Sequence, residues 1–153
     1  MPLIINWLIL AGLTGAPLRA EEPAPTSVLS ETDAERLRTV QGITLQWIEA
    51  NERGHVEVSV SDRGVWHLTG VQVDASGASV RVEGVITEIG EDYFLLDGTV
   101  AINDTPDPGR ACSANKIWRF GATQRRSYYR LREFEWCDYL TDYVDIYFAP
   151  GLR

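Results

Sequence analysis

The sequence has few of the residues that build metal centres and disulfide-rich scaffolds: two cysteines, two histidines and one methionine among 153 residues. His55 and His67 have no cysteine or further histidine at the spacing of a zinc site, so we expect neither a metal nor a cofactor. One pair of cysteines is too little for the framework of a small cysteine-rich protein. We therefore expect a fold that is held together by an ordinary apolar core.

Long apolar runs are absent beyond the N-terminus. The first twenty residues hold an apolar core from Leu3 to Leu13, end on Ala20 and lead into the acidic, Pro-rich "EEPAPT". That core is shorter than a membrane-spanning helix requires, and no later segment approaches the required length. We interpret 1–20 as a secretory signal peptide, 21–29 as a flexible linker and 30–153 as a single β-domain. The mature protein is expected in the periplasm or outside the cell, without an integral membrane segment.

An excess of positive charge is missing as well. The chain has 14 Lys and Arg against 22 Asp and Glu, a net charge of −8, and loss of Arg19 with the signal peptide leaves −9. This balance disfavours a nucleic-acid partner. Export to an oxidising compartment favours a disulfide between Cys112 and Cys137, which would tie a loop at 104–115 to the end of a late strand.

Helical periodicity is confined to one short segment, "SETDAERLRTVQG". Ser30 is a suitable N-cap, Leu37 and Val40 share one side, and Gly42 is a suitable stop. After Gly42, β-branched and aromatic residues dominate eight segments that tight turns separate. These segments are 43–49, 55–61, 65–73, 78–89, 93–103, 116–122, 126–137 and 143–149. The pattern predicts an all-β fold, a small antiparallel meander barrel or sandwich of about eight strands, preceded by a short N-terminal helix.

Three glycines, Gly70, Gly84 and Gly98, recur at equal intervals in the strand region. Folding the chain about Gly77 and Glu91 places all three opposite one another in neighbouring strands. The strand period of two then puts them on the same face as a set of apolar residues. This set comprises Val56, Val58, Val60, Trp66, Leu68, Val80, Val82, Ile86, Phe94, Leu96, Val100 and Ile102. The glycines are expected on the buried concave face, where they either bend the sheet or form the floor of a ligand groove.

Catalytic groups are hard to find in this sequence. The same register brings Ser59, His67 and Glu57 together on the opposite face, a combination that a small hydrolase could use. These residues would lie in the middle of a solvated sheet face, without a Gly-rich turn to supply an oxyanion hole. Asp104 and Asp107 lack the alternating oxygen ligands of a calcium loop. We therefore predict no catalytic residues and favour a non-enzymatic protein.

Basic residues are concentrated in one region. Between Pro108 and Arg132 there are seven basic residues and no acidic one, whereas the rest of the mature chain has six basic and 22 acidic residues. The seven are Arg110, Lys116, Arg119, Arg125, Arg126, Arg130 and Arg132. One interpretation pairs them with carboxylates of neighbouring strands. The candidate carboxylates are Glu133, Glu135, Asp138, Asp142 and Asp145.

The other interpretation is a binding surface. Arg126, Tyr128, Arg130 and Arg132 alternate onto one side of a predicted strand, and Trp118 and Arg119 interleave an aromatic and a basic residue in the strand before it. Arginine and aromatic residues in this arrangement suit an anionic glycan or an acidic protein surface. We therefore predict a secreted or periplasmic binding module whose partner is one of these two.

The stretch "VEGVITEIGEDYFLLDGTVAI" resembles the strand–turn–strand core of exported bacterial OB-fold proteins, with a glycine in one strand, an aromatic residue opening the next and a late Asp-Gly. The resemblance implies an OB-fold-like periplasmic binding protein as an alternative to the meander.

Overall fold

A computed structural model of the protein describes residues 15–17, 19–131 and 133–153. Most of the predicted signal peptide (1–14 and Leu18) and the predicted site residue Arg132 lie outside the described residues. Within the described part of the chain, no helix has the length and apolar character needed to cross a membrane.

The described residues form a mostly β structure with one α-helix near the N-terminal end, as the sequence predicts. In chain order the elements are β1 (Ser27–Val28), α1 (Glu31–Arg38), β2 (Gly42–Leu45), β3 (His55–Val60), β4 (Trp66–Val73), β5 (Ser79–Gly90), β6 (Tyr93–Asn103), β7 (Ala111–Gly121), β8 (Tyr128–Leu131), β9 (Val144–Tyr147) and a 3-10 turn (Pro150–Leu152).

The strands form a single sheet that nearly closes into a barrel. From β3 to β9 each strand pairs with the next one in sequence, and β2 pairs with β9. At the remaining gap Ile43 and Gly54 exchange two backbone hydrogen bonds, of 3.1 and 2.8 Å. The meander is therefore confirmed, and a barrel rather than an open sandwich is the outcome. From β3 to β9 the described strands pair in sequence order, which differs from the Greek-key order of an OB-fold.

The glycine register is correct at one hairpin and shifted at the other. Gly84 lies opposite Gly98, but Gly70 lies opposite Val82. The hairpin between β4 and β5 turns one residue earlier than expected, because the Asp74 side chain accepts hydrogen bonds from the backbone of Ser76 and Ala78. The shift moves each pairing by two residues, so every side chain keeps its predicted face.

The predicted concave face is the core of the barrel. Ten of its twelve apolar residues are buried; Val58 is partly exposed and Val60 is 47% exposed. These two lie towards the end of β3, beyond the point that β2 reaches. Among the buried members, Leu68, Val80, Val82, Ile86, Phe94, Leu96, Val100 and Ile102 are fully inaccessible.

The paired inward glycines, Gly84 and Gly98, allow the backbones of β5 and β6 to approach closely. A Cβ on Gly84 or Gly98 would collide with the backbone of the facing strand. Trp118 is completely buried, and its indole N–H donates a 2.9 Å hydrogen bond to the carbonyl of Gly98. The glycines therefore serve close packing of strands around Trp118, and no ligand groove is needed to explain them.

The largest differences from the predicted strand boundaries are at the start of β7 and the end of β8. β7 begins at Ala111 instead of 116, so Cys112 lies in a strand and not in a loop. β8 ends at Leu131 instead of 137. Glu135, Asp138 and Tyr139 have φ values of 54°, 54° and 57°, which a β-strand cannot accommodate.

The irregular segment 133–143 covers the part of β7 that β8 leaves unpaired. The disulfide between Cys112 and Cys137 joins the segment to β7, as predicted, with a Cα separation of 6.0 Å. Arg110 adds two hydrogen bonds to buried Asp142, at 2.8 and 2.9 Å. Trp136 packs edge-on against Trp118 with ring centroids 5.2 Å apart. Covalent, ionic and apolar contacts thus replace the missing strand hydrogen bonds.

The end of the predicted linker is part of the fold. Ser27 and Val28 pair in parallel with Glu88 and Ile89 of β5. The preceding Thr26 hydroxyl donates a 2.5 Å hydrogen bond to the carbonyl of Ile86. A β-bulge between Ile86 and Glu88 interrupts the pairing of β5 with β6 at this place. The interpretation of 21–29 as a linker therefore fails for its last residues.

The helix begins at the predicted cap, where the Ser30 hydroxyl accepts a hydrogen bond from the backbone N–H of Asp33. The helix ends at Arg38, four residues before the predicted stop at Gly42. Gly42 is instead the first residue of β2. Ala34 and Leu37 are completely buried against the barrel. The helix therefore contributes its apolar side to the core.

Asp33 is the polar contact between this helix and the barrel. Its carboxylate is 2% exposed and accepts hydrogen bonds from the Ser30 hydroxyl (2.6 Å), Arg36 (2.9 Å), the backbone of Asp92 (3.1 Å) and the Tyr129 hydroxyl (2.6 Å). Burial by itself would raise the pKa of Asp33, but the hydrogen bonds outweigh burial and hold the pKa below its ordinary value. Burial, together with the bond to Asp33, raises the pKa of Tyr129.

We expect Asp33→Asn to lower the free energy of unfolding at neutral pH by about 1–3 kcal/mol, the usual cost of disturbing a buried charged hydrogen-bond acceptor. Because the folded pKa lies below the ordinary value of 3.8, the stabilisation is complete above that pH and is lost as the pH falls through the folded pKa. Urea unfolding at neutral and acidic pH measures the difference, with Glu35→Gln on the exposed side of the helix as control. A difference independent of pH would contradict the argument.

The disulfide is expected to protect both thiols from alkylation until a reductant is added, which intact-mass measurement detects. Replacing both cysteines with alanine should lower the free energy of unfolding by roughly 3–4 kcal/mol in the chain-entropy account. Reduced wild-type protein serves as control and should unfold like the double variant. Alkylation without reduction would show that the two thiols are free.

Candidate binding surface

The outer face of β8, β9 and β2 carries aromatic and basic side chains in register. Tyr128 lies opposite Tyr147, and Tyr147 lies opposite Gly42. The two tyrosine ring centroids are 5.1 Å apart. Their sequence neighbours Tyr129 and Ile146 point into the core, as strand alternation requires. The buried neighbours therefore fix the backbone positions of Tyr128 and Tyr147, whose side chains remain partly accessible to solvent.

Arg53 reaches this face from the chain just before β3. Its guanidinium lies 3.6 Å from the centroid of the Tyr147 ring. A Cβ on Gly42 would lie 2.6 Å from Cβ of Arg53 and 2.8 Å from its Cδ, which is too close for any side chain. Arg53 thus crosses β2 over bare glycine backbone and stacks on Tyr147. Sequence reasoning missed this contact, because Arg53 and Tyr147 meet only when the barrel closes.

Two arginines flank Tyr128 in different ways. Arg126 lies 5.7 Å from the Tyr128 ring centroid. Arg130 lies 5.2 Å from the Tyr128 centroid and 4.2 Å from that of Tyr143. Arg130 also donates two 2.8 Å hydrogen bonds to Asp145, and this contact raises the pKa of Arg130. The charge of Arg130 is therefore compensated within the fold.

Arg119 forms a third stack with a tyrosine, on β6 and β7. Its guanidinium lies 3.7 Å from the Tyr93 ring centroid, and the Tyr93 hydroxyl donates a 2.5 Å hydrogen bond to Glu88. Tyr93 lies opposite Gly121, which in turn lies opposite Arg130. The third stack is therefore two strand spacings from Arg130, roughly 10 Å across the same outer face.

Six basic residues accordingly fall into two groups of three. Lys116 pairs with Glu133, as Arg110 and Arg130 pair with aspartates. By contrast, three arginines contact a tyrosine ring and form no ion pair within the part of the chain that the structure describes. We call these three, Arg53, Arg119 and Arg126, the stacked arginines. The interpretation as internal ion pairs therefore fits Arg110, Lys116 and Arg130, and the interpretation as a binding surface fits the stacked arginines.

Not every predicted site residue belongs to this surface. Trp118 is fully buried in the core, so the prediction that it contacts a ligand is wrong. Arg126 precedes β8, in a turn closed by its own N–H and the carbonyl of Thr123 at 3.0 Å. The predicted alternation along one strand therefore reduces to Tyr128 and Arg130, and Arg132 lies outside the described residues.

The polar group on the opposite wall has the predicted register, with Ser59 facing His67 and Glu57 facing Thr69. No hydrogen bond joins Ser59, His67 and Glu57 among the described residues, and all three are exposed to solvent. The arrangement therefore lacks the oriented base that nucleophilic catalysis requires.

One grouping of potential metal ligands occurs within the described residues: Cys112, Cys137 and Asp138. Both sulfur atoms are already joined in the disulfide. They are consequently not available as thiolate ligands.

Comparison with known proteins places these elements in a family. A family model described as the PM1083 family matches residues 25–148, which include all nine strands and the three stacked arginines. The chain is also 37% identical over 106 residues to "Uncharacterized protein PM1083" of Pasteurella multocida (strain Pm70), and the match covers 68% of each chain. No solved structure matches the chain significantly. The chain therefore belongs to the PM1083 family.

Proposed function

We propose that the protein is a secreted or periplasmic, non-enzymatic binding module that recognises an anionic macromolecule through its stacked arginines. The observation that carries the proposal is that Arg53 and Arg119 are exposed, have guanidinium groups 3.6 and 3.7 Å from tyrosine ring centroids, and have no carboxylate partner among the described residues. Among the described cations, Arg53 and Arg119 are the two that lie within 4 Å of an aromatic ring centroid.

Stacking prepares a guanidinium group for an anion. The ring covers one flat side of the group, while the N–H donors at its edge remain directed to the surroundings. Those donors match the two oxygens of a carboxylate, sulfate or phosphate. Because the side chain is already held by the ring, less conformational entropy is lost on binding. The stacked arginines are therefore better receptors than freely moving surface arginines.

The carboxylates of Asp145 and Glu133 do not neutralise the stacked arginines, because other basic residues engage them. Asp145, the carboxylate at the centre of this face, is 6% exposed and is engaged by Arg130. It therefore has little capacity to attract Arg126 away from a ligand. Glu133 is likewise engaged by Lys116 at 2.8 Å. Internal pairing thus leaves Asp145 and Glu133 little capacity to bind the stacked arginines.

Location outside the cytoplasm is supported by two observations. The disulfide between Cys112 and Cys137 belongs to oxidising compartments, and the sequence begins with a segment that has the pattern of a secretory signal. A surface of arginine and tyrosine in that setting is suited to glycans or proteins of the cell envelope.

We expect the double variant Arg53→Ser, Arg126→Ser to elute from a heparin column at lower salt than wild type, because two fixed donors for the polyanion are lost. The matched control is Arg81→Ser, Arg153→Ser, which makes the same change in net charge and touches no stacked arginine. The control should elute closer to wild type. Equal displacement of both variants would show that bulk charge, and not this surface, governs retention.

Gly42→Ala tests the position of Arg53 without a change in charge. The added Cβ displaces Arg53 from Tyr147, so we expect earlier elution from the same column, in the direction of a single Arg53→Ser variant. Gly151→Ala, where a Cβ would meet no atom within 4 Å, is the control. Retention equal to wild type, in a variant that circular dichroism shows to be folded, would mean that the stack is not needed.

A further inference from the structure

Resting on the proposed function, we infer that the ligand is an extended acidic polysaccharide that lies across β6, β7, β8 and β9 and contacts the three stacked arginines in turn. The inference names the ligand class of the same surface. It depends on the spacing of the arginines, on the polarity of the surface between them and on the charges at its rim.

The spacing requires a long ligand. The guanidinium of Arg119 lies over Tyr93 of β6, that of Arg126 lies at Tyr128 of β8, and that of Arg53 lies over Tyr147 of β9. Four adjacent strands are separated by three spacings, roughly 14 Å in total. A single carboxylate or phosphate spans only a small part of that length. Engagement of all three arginines therefore needs a chain that carries several negative charges.

The surface between the arginines is polar. Its two rows of paired residues across β8, β9 and β2 contain tyrosine, glycine, threonine, arginine and aspartate, and no aliphatic side chain. The exposed apolar residues Ile117 (59%) and Phe134 (53%) lie beside these rows and not in them. A stable protein interface has an apolar centre. Hydroxyl-bearing sugar residues, by contrast, match tyrosine and threonine hydroxyls and the faces of the partly exposed rings.

The rim of the surface disfavours a folded acidic partner. A standard protein interface covers about 800 Å² on each partner. Such an area would extend from the stacked arginines onto exposed or partly exposed acidic groups, which include Glu88, Glu91, Glu133 and Glu135. Like charges would then face each other across much of the contact. A slender polysaccharide can follow the arginines and avoid that rim.

The test compares fluorescently labelled oligogalacturonate of increasing length, dextran sulfate, poly-L-glutamate of matched charge and neutral dextran, by fluorescence polarisation at low and high salt. We expect the acidic sugars to bind at least about tenfold more tightly than poly-L-glutamate. Affinity for oligogalacturonate should rise with chain length until the chain spans the three arginines. Neutral dextran should not bind.

Variants separate the possible failures. The acidic sugars should lose affinity with Arg53→Ser, Arg126→Ser and with Tyr128→Leu, and keep it with Arg81→Ser, Arg153→Ser. Equal binding of poly-L-glutamate and acidic sugars, sensitive to the arginine variant, would overturn the polysaccharide and leave the anion-binding function standing. Absence of binding to every polyanion would overturn both. Binding of acidic sugars that is indifferent to the arginine variant would place the ligand elsewhere.

Discussion

The closure of the sheet between Ile43 and Gly54 determines how the rest of the molecule is arranged. These two hydrogen bonds place β2 between β9 and the beginning of β3, so that the inner faces of all the long strands enclose one core. The same closure carries the chain at Arg53 across Gly42 and onto Tyr147. One local pairing therefore produces both the enclosed interior and the most tightly stacked arginine of the outer surface.

After closure, two neighbouring strands, β7 and β8, differ in length, and a buried ion pair holds the segment that covers the unpaired part of β7. β7 has 11 residues and β8 only four, so much of one edge of β7 has no strand beside it. The segment 133–143 fills that place, and the contact of Arg110 with Asp142 holds its end. Removing a charged pair from water costs about as much as the pair returns, so this contact is better understood as fixing position than as adding stability. Asp33 likewise fixes the helix at its contact with Tyr129, and its lowered pKa means that this carboxylate also stabilises the fold at neutral pH.

Local patterns predicted the features that depend on neighbours in sequence. Alternation along each strand identified the buried face, and the Ser30 cap located the start of the helix. The prediction that Gly70 lies directly opposite Gly84 was wrong. The position of the turn depends on hydrogen bonds to the Asp74 side chain as well as on Gly77. The prediction that β8 extends to residue 137 was wrong. No residue type in this aromatic-rich segment indicates that the backbone adopts a positive φ at Glu135.

For a related reason, the sequence predicted only some of the residues of the binding surface. Arg126 and Tyr128 are neighbours in sequence and were recognised. Arg53, Gly42 and Tyr147 come together from three distant segments, through a closure that residue patterns do not specify. The composition of the basic region also could not show which of its members would meet a carboxylate, because that depends on the strand placed beside each one.

Burial explains why Arg110 is paired with a carboxylate, whereas an exposed arginine does not require one. Arg110 is 8% exposed, and a cation removed from water to that degree needs a carboxylate to compensate its charge. An exposed arginine keeps its hydration and can lie on a tyrosine ring, which orients the guanidinium without neutralising it. The fold thus supplies a carboxylate to buried Arg110 and to partly buried Arg130, and leaves the stacked arginines without a carboxylate partner among the described residues. An acidic protein can in this way keep a localised site for anions, because the same packing that satisfies the interior leaves that site without an internal partner.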